Sequence, residues 1–180
     1  MKLLKLTLVT ILALALLTGC GGGGGGGGGG IISDPTLAEQ FPVLVQSYRA
    51  IEDSFLDDTL TSEQHTAAFM AYIDDPFYNL AGEEKRAHLE STTLDRFKTY
   101  KAKVYSLTTG SYEVADDGKT VKVRTTVKFH FQPTGAGGTD YGEITLGLSD
   151  DAPIVFTWRL VGDKWKISTG MPYLKSEMGY

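Results

Sequence analysis

Strict alternation of apolar and polar residues is clearest between positions 121 and 132. A period of two over this length predicts a β-strand with one buried face and one wet face. Shorter alternations predict further strands at about 102–114, 144–148, 154–161 and 165–167. Hairpin turns are predicted at 116–118 and 162–163, because Asp-Gly and Gly-Asp pairs suit turns that need positive φ. The residues predicted to face inward on the clearest strand are Val121, Val123, Thr125, Val127, Phe129 and Phe131.

Upstream of position 101 the apolar spacing changes to three and four, which is typical of helices. Asp34-Pro35 is a plausible helix start, and Pro42 predicts a turn or kink soon after it. The main first helix follows. It would place four apolar residues on one face, namely Leu44, Tyr48, Ile51 and Phe55.

Two more helices are expected before the strands. Thr61 and Gln64 have capping-box spacing, so a second helix should start there and run to about Ile73. Asp74-Asp75-Pro76 should end it, and 77–80 then reads as a short apolar link. A third helix is predicted from Glu83 to about Tyr100, with two glutamates in its first turn.

These elements predict an α+β domain over residues 34–180, with three N-terminal helices packed on a bent antiparallel sheet of about five strands. The strand 121–131 and the closing hairpin 156–167, with its W-x-L-x-G-x-x-W-x-I pattern, resemble the nuclear-transport-factor-like superfamily. That superfamily includes ketosteroid isomerases and SnoaL-type cyclases. The resemblance implies a cystatin-like cone whose helices fill the concave side of the sheet and whose hollow can hold an apolar ligand. It carries over no catalytic residue.

The N-terminal segment has a different pattern. Lys2 and Lys5 precede an apolar run from Leu6 to Leu17, which fits a secretory h-region and is too short to span a bilayer. The run ends in Leu-Thr-Gly-Cys20, and a glycine run follows at 21–30. The alternatives are an ordinary signal peptide with an incidental cysteine, or a tight transmembrane helix. Cys20 is the chain's single cysteine, at the position that the following resemblance requires.

Leu17 to Cys20 resembles the lipobox of bacterial lipoproteins. The resemblance implies a signal peptide at 1–19, cleavage before Cys20, and acyl chains on Cys20 that anchor the protein to a membrane. Two or three chains hold firmly, whereas one holds only marginally. Residues 20–33 would then be the lipidated cysteine and a flexible poly-glycine linker. Gly21, in place of a retaining aspartate, favours the outer membrane facing the periplasm if the organism is Gram-negative.

The net charge and the absence of known motifs in the sequence argue against several classes of function. The net charge of the chain is −5. Without Lys2 and Lys5 it has fifteen basic and 22 acidic residues, which gives a net charge of −7. An acidic body argues against nucleic acid as a partner. His65, His88 and His130 lack metal-ligand spacing, and the paired aspartates serve as caps or turns. No metal, cofactor or catalytic residue is therefore predicted, and strand alternation places His130 on the polar face.

Aromatic residues are the remaining candidates for a ligand site. They could line a pocket in the cone, or they could simply form its core. The favoured hypothesis is a membrane-tethered, non-enzymatic domain that binds a protein partner or a small apolar ligand in the cell envelope. The alternatives are a small enzyme using an internal apolar cavity and a structural accessory of an envelope complex. The candidate pocket residues are Tyr48, Tyr72, Tyr78, Phe129, Trp158 and Trp165.

Overall fold

Helices and strands alternate early in the domain, before the chain becomes all-strand. The computed structural model describes residues 35–174 and 176–178, and the lipobox, Cys20, the glycine linker and Asp34 lie outside the described residues. Within them are four helices, α1 (Leu37–Gln40), α2 (Pro42–Leu56), α3 (Ser62–Met70) and α4 (Arg86–Thr99). The six strands are β1 (Ile73–Tyr78), β2 (Tyr100–Val114), β3 (Thr120–Pro133), β4 (Ile144–Leu146), β5 (Val155–Val161) and β6 (Lys164–Thr169).

Two of the four helices among the described residues, α1 and α3, begin at a capping box. Thr61 and Gln64 form the predicted capping box of α3, with Gln64 N–H donating to Thr61 Oγ1 at 3.3 Å. A second capping box, between Thr36 and Glu39, begins α1. This one-turn helix replaces the turn or kink expected before Pro42, so the prediction of three helices was one short. Pro42 occupies the first turn of α2, where its missing N–H costs nothing.

The first strand was not predicted. The second helix was expected to reach Ile73, with an apolar link beyond it, but α3 ends at Met70 and 73–78 forms β1. Ile73 pairs with Ile167 of β6 in parallel, and the register shifts before Tyr78. Because of this register shift, β1 shows no regular alternation of apolar and polar residues. Its pairing partner β6 lies about 90 residues further along the chain, so no local pattern predicts the strand. The sheet is therefore mixed and six-stranded among the described residues, not antiparallel with about five strands.

The sheet order is β1-β6-β5-β3-β2, and β4 lies beside β3. β2 pairs along the length of β3, while β5 and β4 share its opposite edge, pairing with 120–124 and 127–129. The strand predicted at 144–148 ends at Leu146, and Leu148 is 71% exposed. Gly147 explains the break: it has φ +78°, and a Cβ there would lie 2.6 Å from the Thr125 carbonyl oxygen.

The core lies between α2 and the inner face of the sheet, a region called the interior below. All six residues predicted to face inward on β3 are buried, as are the four on the apolar face of α2. These two predictions are confirmed. Burial also extends beyond the last strand, to Met171, Tyr173 and Met178, in a tail whose sequence shows no pattern.

Candidate functional site

A directional chain of hydrogen bonds crosses the interior. Trp158 Nε1 donates to the Tyr48 hydroxyl at 2.9 Å, and that hydroxyl lies 2.8 Å from Thr125 Oγ1. Thr125 Oγ1 donates its own proton to the Val123 carbonyl at 3.2 Å, so in its contact with Tyr48 it accepts the proton of the phenol. Burial raises the pKa of Tyr48, so the phenol stays neutral. The indole N–H, the phenol and the threonine hydroxyl of this hydrogen-bond chain thus all have partners inside the protein.

A cluster of aromatic rings lies in another part of the interior. Phe55 lies at their centre: its ring stacks on Tyr105 at 3.9 Å between centroids and contacts Phe69 edge-on at 5.2 Å. Phe97 and Phe131 complete the group. The family resemblance implied a hollow on this concave side, but the chain's own aromatic side chains pack there.

A pocket of about 170 Å³ opens where α2, α3, α4, β2 and the end of β3 meet; it is called the corner pocket. This volume lies below the roughly 300–1,000 Å³ of pockets for drug-sized ligands. Its floor is aromatic and its rim is polar. The lining residues are Phe55, Asp58, Leu60, Ser62, His65, Phe97, Tyr100, Lys101, Ala102 and Thr134.

His65 is the one imidazole in the corner pocket. Its Nδ1 lies 2.5 Å from the carbonyl oxygen of Ser54, and its ring stacks on Phe97 with centroids 4.3 Å apart. Ser54 belongs to the last turn of α2, where carbonyls lack a helical donor. A carbonyl can only accept, so Nδ1 carries the proton and Nε2 of the neutral ring is an acceptor.

Charged and hydroxyl groups form the rim. Lys101 Nζ and Asp58 Oδ2 are 2.7 Å apart, and both side chains are exposed to solvent. Asp57, one residue earlier, accepts from the Thr59 hydroxyl and N–H, and these bonds lower the pKa of its carboxyl. Exposed ion pairs of this kind contribute little to stability.

The six aromatic residues proposed from the sequence do not come together in one pocket. Tyr48 and Trp158 contact each other in the interior, where Phe129 packs against Phe131. Trp165 is buried against Phe41 near α1. Tyr72 is partly buried, and Tyr78 is 40% exposed. None of the six lines the corner pocket.

Sequence reasoning missed the corner pocket, although it weighed His65 as a metal ligand. The pocket gathers residues from five separate segments, so no local spacing marks it. His130, by contrast, lies on the polar face of β3 as strand alternation predicted, with Nε2 2.8 Å from Asp140 Oδ1. The N–H of Gly142 and then the contact with His130 lower the pKa of Asp140.

Two surface grooves lie elsewhere on the described part of the domain. One runs between α3 and α4 with Glu63 and Glu90 among its lining residues, and the other lies at the end of the sheet near Tyr112 and Val155. Within 35–174 and 176–178, no three His, Cys, Asp or Glu side chains converge as metal ligands would. In the same part of the chain, no helix has the length and apolarity needed to cross a membrane.

Comparisons with known proteins bear on the fold. No protein-family model matches the chain, and no curated protein matches it. A conserved protein from Planctomyces limnophilus DSM 3776 has a similar structure, with TM-score 0.51 and 10% identity over 71% of this chain and 90% of that one. A ketosteroid isomerase-like protein from Erwinia carotovora atroseptica SCRI1043 gives TM-score 0.50 and 13% identity, covering 73% and 92%.

A third solved structure is an NTF2-like protein from Cytophaga hutchinsonii ATCC 33406, with TM-score 0.45 and 11% identity over 71% of this chain and 92% of that one. The domain has an α+β fold with a mixed sheet, and this fold is similar to that of the ketosteroid isomerase-like protein. At these identities the similarity is one of fold and carries no residue roles.

Proposed function

We propose that this chain is a lipid-anchored protein of the cell envelope whose cone domain is a non-enzymatic binding module. In this proposal Cys20 carries the anchor, and the corner pocket holds a small ligand. The observation that supports it most is the hydrogen-bond chain of the interior, because Trp158, Tyr48 and Thr125 satisfy one another and none of the three is left to act on a substrate.

The corner pocket indicates the kind of ligand. Its volume equals about five or six waters at roughly 30 Å³ each, which suits a single ring. Phe97 and Tyr100 offer aromatic surface, and in the tautomer set by the Ser54 carbonyl Nε2 of His65 is available as a hydrogen-bond acceptor. A small aromatic molecule with one hydrogen-bond donor fits this set of groups.

Phenol is a suitable probe, with binding followed by amide chemical shifts. We expect shifts centred on the corner pocket, and binding about three- to ten-fold weaker in His65→Ala because one hydrogen bond is lost. His130→Ala is the matched control, since that imidazole lies on the outer face, and it should bind like the unmodified chain. Shifts spread evenly over the surface, or equal affinity in His65→Ala, would remove the corner pocket from the proposal.

The anchor has its own test in cells. Cys20→Ser should abolish fatty-acid labelling and leave the precursor uncleaved, because the serine hydroxyl does not replace the thiol in the lipidation reaction. Labelling that persists in the variant would contradict the anchor and would leave the corner-pocket proposal standing.

A second candidate function is a small enzyme. The Ser54 carbonyl holds His65 in the tautomer whose Nε2 can take a proton, as a general base must. One of the fold neighbours is called ketosteroid isomerase-like, which is a statement about that protein. Base-catalysed ring opening of nitrobenzisoxazole tests this candidate. A rate above that of free imidazole that disappears in His65→Ala would favour the enzyme, and a background rate would favour the binding module.

A further inference from the structure

Four basic residues lie on the outer face of β3, and three of them contact a carboxylate. The three contacts are Arg124–Asp150, Lys128–Glu143 and His130–Asp140, with nitrogen–oxygen distances of 2.5, 2.8 and 2.8 Å. The fourth basic residue, Lys122, has no ion pair and no side-chain hydrogen bond within the described residues. It lacks a partner even though Glu113 lies directly opposite it on β2.

Lys122 and Glu113 are a cross-strand pair whose charged groups do not meet. Residues directly opposite each other on antiparallel strands share a face of the sheet, with Cβ atoms roughly 4.5–5.5 Å apart. Both residues are exposed, and Glu113 also lacks an ion pair and a side-chain hydrogen bond in the described part of the chain. One ammonium group and one carboxylate are therefore available side by side on the outer face.

This pair lies in the groove at the end of the sheet, which is called the sheet-end groove. Its volume is about 540 Å³, within the roughly 300–1,000 Å³ that is typical of small-molecule sites. β2 has a β-bulge here, because its pairing register skips between Thr109 and Tyr112, so that residues 110 and 111 together oppose Arg124. A bulge bends its strand and redirects side chains, and bulges are frequent beside functional sites.

The neighbouring wall of the sheet-end groove is apolar. Pro153 and Val155 line it at the start of β5, and Val155 is 37% exposed. Arg124 also lines the groove, but its charge is balanced by the ion pair with Asp150. The groove thus offers one unpaired cation, one unpaired anion and apolar surface next to each other.

We propose that the sheet-end groove binds an α-amino acid with an apolar side chain. In this proposal the ligand ammonium contacts Glu113, the ligand carboxylate contacts Lys122, and the apolar side chain lies against Val155. An α-amino acid suits the pair because it carries both charges on one carbon, whereas a singly charged ligand would lie beside a like charge. The site is separate from the corner pocket and does not depend on the lipid anchor.

Leucine and two analogues test the ligand class on the full chain, with binding followed by amide chemical shifts. 4-Methylpentanoate lacks the ammonium, and 3-methylbutylamine lacks the carboxylate. Leucine should shift the amides of 111–113, 122–124 and 155, and it should bind about five-fold more tightly than either analogue, which leaves one charge of the groove unpaired. Equal affinity for the three compounds, shifts centred elsewhere or no shifts would overturn the proposal.

An exchange of the two charges tests the named residues. Lys122→Glu and Glu113→Lys should each weaken leucine binding about five-fold, because each variant places two like charges in the groove. The double variant holds the same two charges in exchanged positions and should recover binding. Exchange of the ammonium and the carboxylate around one carbon gives the mirror-image molecule, so the preference between L- and D-leucine should be reversed. A double variant that binds neither enantiomer better than the single variants, or that keeps the original preference, would overturn the proposal.

Lys128→Glu is the matched control, since it makes the same change of charge on the same face of β3 but outside the groove. It should bind leucine like the unmodified chain, and so should His65→Ala in the corner pocket. A loss in Lys128→Glu equal to that in Lys122→Glu would reveal an effect of net charge and would overturn the proposal. If a variant does not fold, the comparison of leucine with its analogues on the unmodified chain still decides.

Discussion

The interior and the corner pocket are both built on aromatic rings, and they even share Phe55 and Phe97, yet they treat polar atoms in opposite ways. In the interior, Trp158 donates to Tyr48 and Tyr48 to Thr125, so each polar atom has a partner supplied by the chain. In the corner pocket, Nδ1 of His65 is bonded to the Ser54 carbonyl, which leaves Nε2 as an acceptor, and Lys101 pairs with Asp58 at the solvent-exposed rim. A closed polar network stabilises a fold, whereas an acceptor left facing a hollow is available to a ligand.

The harshest test of this contrast places a charge in the interior. Phe129→Asp should unfold the domain, because a buried, unpaired carboxylate costs as much as the whole stability of about 5–15 kcal/mol. The matched control is Thr126→Asp, whose side chain is on the outer face of the same strand and should leave the domain folded. Thermal melting followed by circular dichroism measures both, and an unchanged melt for Phe129→Asp would mean that the inner face is assigned wrongly.

Removal of the largest buried ring should be the next most damaging change. Trp158→Ala should lower the free energy of unfolding by about 3–5 kcal/mol, through the lost burial and the cavity left behind. Leu148→Ala, at an exposed position, should change it by less than about 0.5 kcal/mol. Urea unfolding followed by fluorescence of the remaining tryptophan gives both values. Similar losses in the free energy of unfolding for the two variants would contradict the assignment of Trp158 to the packed interior.

The hydrogen-bond chain can be tested without changing the packing. Tyr48→Phe removes the oxygen that accepts from Trp158 and donates to Thr125, leaving a buried N–H without a partner. We expect a loss of about 1–3 kcal/mol in the free energy of unfolding. Tyr78→Phe, at a half-exposed phenol, is the control and should be nearly neutral. A neutral Tyr48→Phe would mean that water or a shifted indole satisfies the interior as well as the tyrosine does.

The smallest effect is expected beside the corner pocket and concerns pH. Hydrogen bonds from the hydroxyl and N–H of Thr59 hold the pKa of Asp57 below its ordinary value. A lowered folded pKa means that the contribution of Asp57 is present above the ordinary carboxyl pKa and is lost as pH falls through the folded value. A carboxyl carbon NMR titration should show a low midpoint that rises in Thr59→Ala. An equal midpoint in both forms would contradict the role of Thr59 in ordering this rim.

Local pattern was enough for some elements and not for others. β3 alternates without interruption and the α2 face repeats at helical spacing, so both could be predicted with the residues they bury. Thr61 and Gln64 marked the start of α3 because a capping box is a contact within four residues. β1 escaped prediction because Ile73 pairs with Ile167 across most of the domain. β4 ends early at Gly147 because the carbonyl oxygen of Thr125 in β3 lies too close for a side chain there. Thr125 is 22 positions away in the sequence, so the residues around Gly147 give no sign of this contact.

From the sequence alone came the α+β class, the buried face of β3, the hairpin turns and the proposal of a lipid anchor at Cys20. These depend on periodicity and on motifs whose physical cause lies within a few residues. The filling of the concave side, the acceptor at His65 and the burial of Tyr173 were decided only by tertiary structure. Each depends on which distant side chains approach to within hydrogen-bonding or ring-contact distance, and that is set by the strand order of the sheet and the path of the chain between its elements.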